Sequence, residues 1–118
     1  GNQDEIFVQI KKLLTKKNHA DGMVASVERL AMQIYMASIE SNIRIPDDLK
    51  VIAFSTLETA PILNPSLTTI TQPAFEIGKT ATELLFKMIE GNNTYFRDNS
   101  TVVLPSRLIE RNSTLKVR

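Results

Sequence analysis

Apolar positions recur at three- and four-residue steps in three stretches of the chain, and each stretch predicts an amphipathic helix. The first runs from about Asp4 to Lys17, the second from Val27 to about Ser41, and the third from Pro73 or Ala74 to Glu90. The third has the most regular period, and Gly91 follows its end, where glycine commonly closes a helix.

Shorter β-branched and apolar runs between these helices predict strands. Residues 21–25 form a short apolar run, and residues 49–54 form a nearly continuous one, of the kind buried on both faces of a parallel sheet. Thr68–Thr71 is β-branched, and a last strand, residues 101–104 and 107–110, is expected to be broken or bent at Pro105. Helices alternating with strands indicate an α/β fold with a mainly parallel sheet flanked by helices.

Four local features complete the predicted organisation. Ser26 is expected to cap the second helix, and Asn42 to end it in the left-handed conformation. Gly78 interrupts the apolar stripe of the third helix, which predicts close backbone packing at that point. The tail from residue 112 to 118 is expected to fray.

The second predicted helix is apolar on two sides, which is typical of a helix that is buried on two sides. One side can cover the sheet, and the other needs a second partner from this chain or from another one. The first stripe comprises Val27, Leu30, Ala31, Ile34 and Ser38, and the second comprises Met32, Tyr35, Met36 and Ile39.

Composition excludes several classes of function but does not identify one. The chain has 118 residues, 42% of them hydrophobic, and a formal net charge of +1, so no strong field favours nucleic acid or an anionic membrane. It has no cysteine and one histidine, which excludes thiolate chemistry and disfavours a histidine-built metal site. No run of about 18 apolar residues occurs, and the first residues lack a secretory pattern. The chain begins with Gly1 rather than methionine, so we expect a piece of a longer protein.

The sequence contains no pattern that supports a catalytic function. Ser55 follows a predicted buried strand, but a nucleophile elbow needs flanking glycines that are missing here. The glycines are isolated, so there is no phosphate-binding loop, and Asp47 and Asp48 are most simply a turn. We therefore expect no enzyme activity, no cofactor and no metal.

Three segments taken together resemble the lactose-repressor (LacI/GalR) family of bacterial transcriptional regulators. Residues 45–54, IPDDLKVIAF, are similar to the family's (V/I)P-x-D-(V/I)-x-V-x-G-(F/Y)-D segment, and residues 65–73, PSLTTITQP, to its P-x-L-T-T-(V/I)-x-Q-P signature. Residues 103–114, VLPSRLIERNST, resemble its terminal LP-x-x-L-(V/I)-x-R-x-S strand, and residues 21–31 fit a further segment loosely. The match covers nearly the whole chain in the correct order.

The resemblance implies a partial periplasmic-binding-protein-like fold of type I. Residues 1–118 would be the C-terminal fragment of an effector-binding and dimerisation domain, without the DNA-binding headpiece. In that family a small molecule, often a sugar or nucleobase, closes two subdomains and so controls operator DNA binding. The resemblance therefore implies a cytoplasmic homodimer. The alternative is a periplasmic sugar-binding protein of a transporter, which shares this fold.

The resemblance also assigns a ligand site and a dimer interface. Ser55 stands where the family has a ligand-binding aspartate, Val27-Glu28 replaces its Asn-Asp pair, and Gln72 remains a polar cleft residue. Serine and valine offer fewer hydrogen bonds than aspartate and asparagine, so either the effector is less polyhydroxylated or other residues bind it. Ser55 is equally well explained as a turn residue, and Val27 is better explained by core packing. The expected interface comprises Met32, Tyr35, Met36, Ile39, Ile62 and Leu63.

Overall fold

The computed structural model describes residues 3–56, 58–91 and 101–115, which form helices and strands of an α/β fold. The helices are α1 (Gln3–Thr15), α2 (Glu28–Glu40) and α3 (Ala74–Ile89), and a short 3-10 turn spans Ala60–Ile62. The strands are β1 (Gly22–Ala25), β2 (Lys50–Phe54), β3 (Thr68–Thr71) and β4 (Arg107–Ile109). The predicted helices and the first three predicted strands are confirmed to within a few residues at each end.

The four strands form one sheet in the order β1-β2-β3-β4. β1 and β2 are parallel, with Ala25 opposite Ala53, and β2 and β3 are parallel, with Phe54 opposite Ile70. Because these three strands run the same way, their carboxyl ends meet at one edge of the sheet. The predicted α/β class with a mainly parallel sheet is confirmed.

The core lies where α2 packs against β1, β2 and α1. α1 therefore provides the second partner that the two-sided α2 requires, from within the same chain. The buried apolar side chains are Leu14, Ala25, Ala31, Ile34, Tyr35, Ala37, Leu49, Val51, Ala53, Ala60 and Leu67. Five of these eleven residues are alanines, and the larger side chains of the core are mostly leucine, isoleucine and valine.

The chain divides into two compact units. The first unit runs to Thr71 and resumes at Leu108, and it contains the core just described. The second unit, Gln72–Arg107, contains α3, none of whose residues is buried. Within it, α3 and residues 102–104 line a groove of about 420 Å³. Residues 101–106 are not a strand, so the first part of the predicted final strand is wrong, whereas the part after Pro105 is present as Arg107–Ile109 in the sheet.

In α2 and α3, two local predictions are wrong and two others are confirmed. Val27, in extended conformation, is the residue before α2 and makes no side-chain cap, so Ser26 lies one position too early to cap this helix. A Cβ added at Gly78 would meet nothing within 4 Å, so the prediction of close backbone packing at Gly78 is wrong. Asn42 has φ 56°, as predicted for a left-handed helix end, and Gly91 has φ 87°.

The segment that follows β4 is ordered against the sheet and is not frayed as predicted. Ser113 is fully buried; its Oγ donates to the Val51 carbonyl at 2.6 Å and accepts from the Thr68 amide at 2.8 Å. The Arg111 guanidinium donates to the Leu67 carbonyl at 2.7 Å, and the hydroxyls of Thr68 and Thr114 lie 2.7 Å apart. We call residues 111–114 the clasp, because they bind both β2 and the start of β3. Residues 116–118 of the predicted tail lie outside the described part of the chain.

Candidate ligand-binding site

The residues that the sequence predicts to bind a ligand, Val27, Ser55 and Gln72, follow the carboxyl ends of β1, β2 and β3 along the chain. In parallel α/β sheets, ligands bind at this edge because the loops that leave the strands open a crevice there. Ser26 to Glu28 follows β1, Ser55 follows β2, and Gln72 follows β3 along the chain. The first two groups belong to the first unit, and Gln72 begins the second.

Ser55 is held firmly at the end of β2. Its exposed fraction is 7%, and its amide donates to the Ile70 carbonyl at 3.1 Å. Its own carbonyl accepts from the Thr71 hydroxyl at 3.2 Å, and its Oγ donates to Oε1 of Glu28 at 2.8 Å. The hydroxyl therefore points at the carboxylate of α2.

Glu28 is the residue that sequence reasoning did not assign to the site. It lies in the first turn of α2, where the partial positive charge of the helix amino end stabilises a carboxylate. The side chain is half-buried, and a contact that spans 27 positions of sequence joins it to Ser55. The available signal was that Val27-Glu28 and Ser55 both differ from the residues that the family has at these positions. Nothing local in the sequence showed that the two positions touch.

Val27 and Gln72 are accessible and make few contacts of their own. Val27 is 45% exposed, so the core-packing interpretation does not describe it in this chain. Gln72 is exposed, and its carbonyl accepts from the Ala74 amide at 2.9 Å. Both side chains are therefore free of the core.

The residues assigned to the dimer interface separate into an exposed group and a packed group. Met36, Ile39 and Ile62 are 56%, 74% and 79% exposed. Met32 and Leu63 are partly buried against the core of their own chain.

Tyr35 belongs to the packed group. It is 8% exposed, and its hydroxyl donates to the Pro65 carbonyl at 2.7 Å. Burial raises the pKa of the Tyr35 hydroxyl to about 12, although the Ser113 hydroxyl partly opposes this rise. Tyr35 thus fixes the loop that follows the 3-10 turn to α2, and the exposed members of the expected interface are Met36, Ile39 and Ile62.

Within residues 3–56, 58–91 and 101–115, no three histidine, cysteine, aspartate or glutamate side chains are grouped so that they could hold a metal ion. In the same part of the chain, no helix is both long and apolar enough to cross a membrane.

Comparison with known proteins identifies the family. Residues 2–114 match the family model described as a periplasmic binding protein-like domain. The lactose operon repressor of Rhizobium radiobacter is 35% identical over 111 residues, which are 93% of this chain and 94% of that protein's sequence. The chain belongs to the LacI family of periplasmic-binding-protein-like domains.

Other relatives are longer regulators. The ribose operon repressor of Haemophilus influenzae is 32% identical over 109 residues, and the regulator MalR of Clostridium butyricum is 28% identical over 116. This LacI-family chain spans about a third of the length of these two proteins, 32% and 33% respectively.

Solved structures of the family share the fold. A LacI-family regulator from Arthrobacter sp. FB24 in complex with lactose has a TM-score of 0.75 at 26% identity, and one from Enterococcus faecalis with bound ribose has 0.73 at 26%. The match covers 93% and 96% of this chain, and 40% of each of the two solved chains. The recognition of the family from its three sequence segments is confirmed.

Proposed function

We propose that this chain is the ligand-sensing and dimerising part of a transcriptional regulator of the LacI family, and that it has no enzymatic role. The observation that carries the proposal is the polar carboxyl edge of β1 to β3, in a fold shared with regulators solved with lactose and with ribose. Residues 1–118 are proposed to be the C-terminal part of the effector-binding domain.

The proposed mechanism is allosteric. A sugar or related metabolite binds at the edge that Ser55 and Val27 form in the first unit, and its binding energy favours one arrangement of the full effector domain over another. Gln72, in the second unit, is proposed as a ligand-binding residue from the sequence resemblance alone. That shift changes the affinity of a helix-turn-helix headpiece, outside this sequence, for operator DNA. The protein acts in the cytoplasm as a homodimer whose contacts include Met36, Ile39 and Ile62.

Isothermal titration of the chain with D-ribose and with lactose tests ligand sensing. We expect saturable heat with at least one of the two sugars and none with glycerol at matched concentration, because glycerol shares hydroxyl groups but not ring shape. Heats that never saturate with either sugar, or that glycerol reproduces, would contradict the proposal.

The coding region upstream of this sequence distinguishes a regulator from a solute-binding protein of a transporter. We expect a helix-turn-helix segment there, because the relative MalR is described as an HTH-type transcriptional regulator. A secretory signal in its place would favour the transporter.

A further inference from the structure

The carboxylate of Glu28 combines three properties that a ligand-binding group needs. It lies at the carboxyl edge of the parallel strands, it is held by a buried donor, and part of it remains open. Oε1 accepts the hydrogen bond from Ser55 at 2.8 Å, which fixes the rotation of the carboxylate. Among the described residues, Oε2 has no hydrogen-bond partner and is not one of the buried polar atoms that lack one. Oε2 is therefore presented to solvent.

No cation neutralises this carboxylate within the described residues. The ion pairs there join Lys11 to Glu40 and Arg44 to Asp48, and neither involves Glu28. Stabilisation comes from the amino end of α2 and from the Ser55 hydroxyl. A carboxylate supported in this way accepts strong, charge-assisted hydrogen bonds from an incoming hydroxyl group.

Ser55 has a different role from the one first assigned to it. Its exposed fraction is 7%, and its amide, carbonyl and Oγ all form hydrogen bonds with other parts of the chain. The hydroxyl proton is already donated to Glu28, so a ligand acceptor could take it only by breaking that bond. The sequence neighbours Val27 and Phe54 are exposed at 45% and 37%, and such apolar side chains suit the C–H face of a ring. Ser26, Arg29 and Thr56 are exposed polar neighbours of the same pair.

We propose that Glu28 is the ligand-facing acceptor of this site, that it binds hydroxyl groups of a polyhydroxylated ring, and that Ser55 is its positioning residue. The inference rests on the proposed ligand-sensing function. It offers an acceptor at a site where the family's aspartate and asparagine are lost at Ser55 and Val27, because position 28 keeps an acidic residue, glutamate in place of the pair's aspartate.

Titration of the isotopically labelled chain with D-ribose and with lactose, followed by amide and side-chain NMR resonances, tests the proposal. We expect saturable shifts at Glu28 and Val27 in the wild-type chain with at least one of the two sugars. Glu28→Gln should weaken that binding about tenfold or more, because a charged acceptor is lost. Asp4→Asn is the matched control, since it removes an exposed first-turn carboxylate of α1 and should leave binding unchanged.

A double-mutant cycle separates positioning from direct contact. Ser55→Ala should weaken sugar binding less than Glu28→Gln does. The double variant should bind like Glu28→Gln alone, because Ser55 acts only through Glu28. Additive losses in the double variant would show that Ser55 itself contacts the ligand and would overturn its assignment as a positioning residue.

The remaining outcomes distinguish this inference from the proposed function. Saturable wild-type binding that Glu28→Gln leaves unchanged, or shifts confined to other surfaces, would overturn the role of Glu28 while ligand sensing stands. An absence of saturable shifts with both sugars in the wild-type chain would overturn both. Unchanged amide spectra away from residue 28 would show that the variants remain folded.

Discussion

At the scale of single residues, polar side chains fix the loops of the first unit to its core. Tyr35 on α2 donates to the Pro65 carbonyl, and Ser113 in the clasp bonds to both β2 and β3. Such buried hydrogen bonds contribute little net stability when made, but they are costly to leave half-made. We expect these two residues to hold the start of β3 in place more than any apolar contact there does.

Tyr35→Phe tests this role and has a defined pH dependence. Below pH 10 the variant should be about 1 kcal/mol less stable than wild type, since it lacks the bond to Pro65. The pKa of Tyr35 is raised from 10.0 to about 12 by folding, so its contribution is fully present below pH 10 and is lost as the pH rises through 12.

Urea unfolding midpoints at pH 8 and at pH 11 to 12 measure the effect. The wild-type chain should lose more stability over this range than the variant does, because both share all other titrating groups. Parallel decline of the two proteins would contradict the assignment of Tyr35.

At the scale of elements, α3 differs from the other helices because none of its residues is buried. Its period and its bounding proline and glycine predicted it well, since these signals are local. The prediction of close packing at Gly78 was wrong because packing against a helix face depends on a neighbouring element, which the local sequence does not specify. A glycine in an exposed helix interior only costs backbone entropy.

Gly78→Ala should therefore stabilise α3 by about 0.5–1 kcal/mol, since a Cβ there meets nothing within 4 Å. Gly91→Ala is the matched contrast: its φ of 87° disfavours an L side chain, and the change should destabilise by about 1 kcal/mol. Thermal unfolding followed by helical circular dichroism compares the two. Equal effects, or a destabilised Gly78→Ala, would show that position 78 is packed after all.

The candidate site shows the same limit of prediction. Ser55 was found because a polar residue after a buried strand is a local signal, and the strand itself follows from a run of apolar residues. Glu28 and Ser113 were missed because each acts through a partner far along the chain, Ser55 at 27 positions and Val51 at 62. Periodicity reports which face of an element is apolar, but it carries no information on which distant polar groups meet.

At the scale of the whole molecule, the proposed self-association would bury the exposed side chains of Met36, Ile39 and Ile62. Met32 and Leu63 are partly buried against the core of their own chain, and the interface stays a prediction. Apolar residues exposed at 56% to 79% gain more from association than those already packed.

Met36→Glu should shift the chain towards monomer, because a carboxylate buried at a dimer contact without a partner is strongly unfavourable. Sedimentation equilibrium over a range of concentrations gives the association constant, and we expect a loss of at least tenfold. Val8→Glu, at a side chain 49% exposed on α1, is the control for added charge. Equal masses for wild type and Met36→Glu at all concentrations would remove Met36 from the interface.

The clasp has a consequence for how the protein is made. β3 ends at Thr71, but its first amide, that of Thr68, and the Val51 carbonyl both bond to the Ser113 hydroxyl. Ser113 follows the entire second unit along the chain. On a translating ribosome, α1, α2 and three strands emerge long before these partners do. The first unit must therefore wait, incompletely bonded, until residue 113 has been synthesised, and such sequence-distant closure slows folding. Early termination before residue 113 would leave a nascent chain that chaperones and proteases recognise as unfinished.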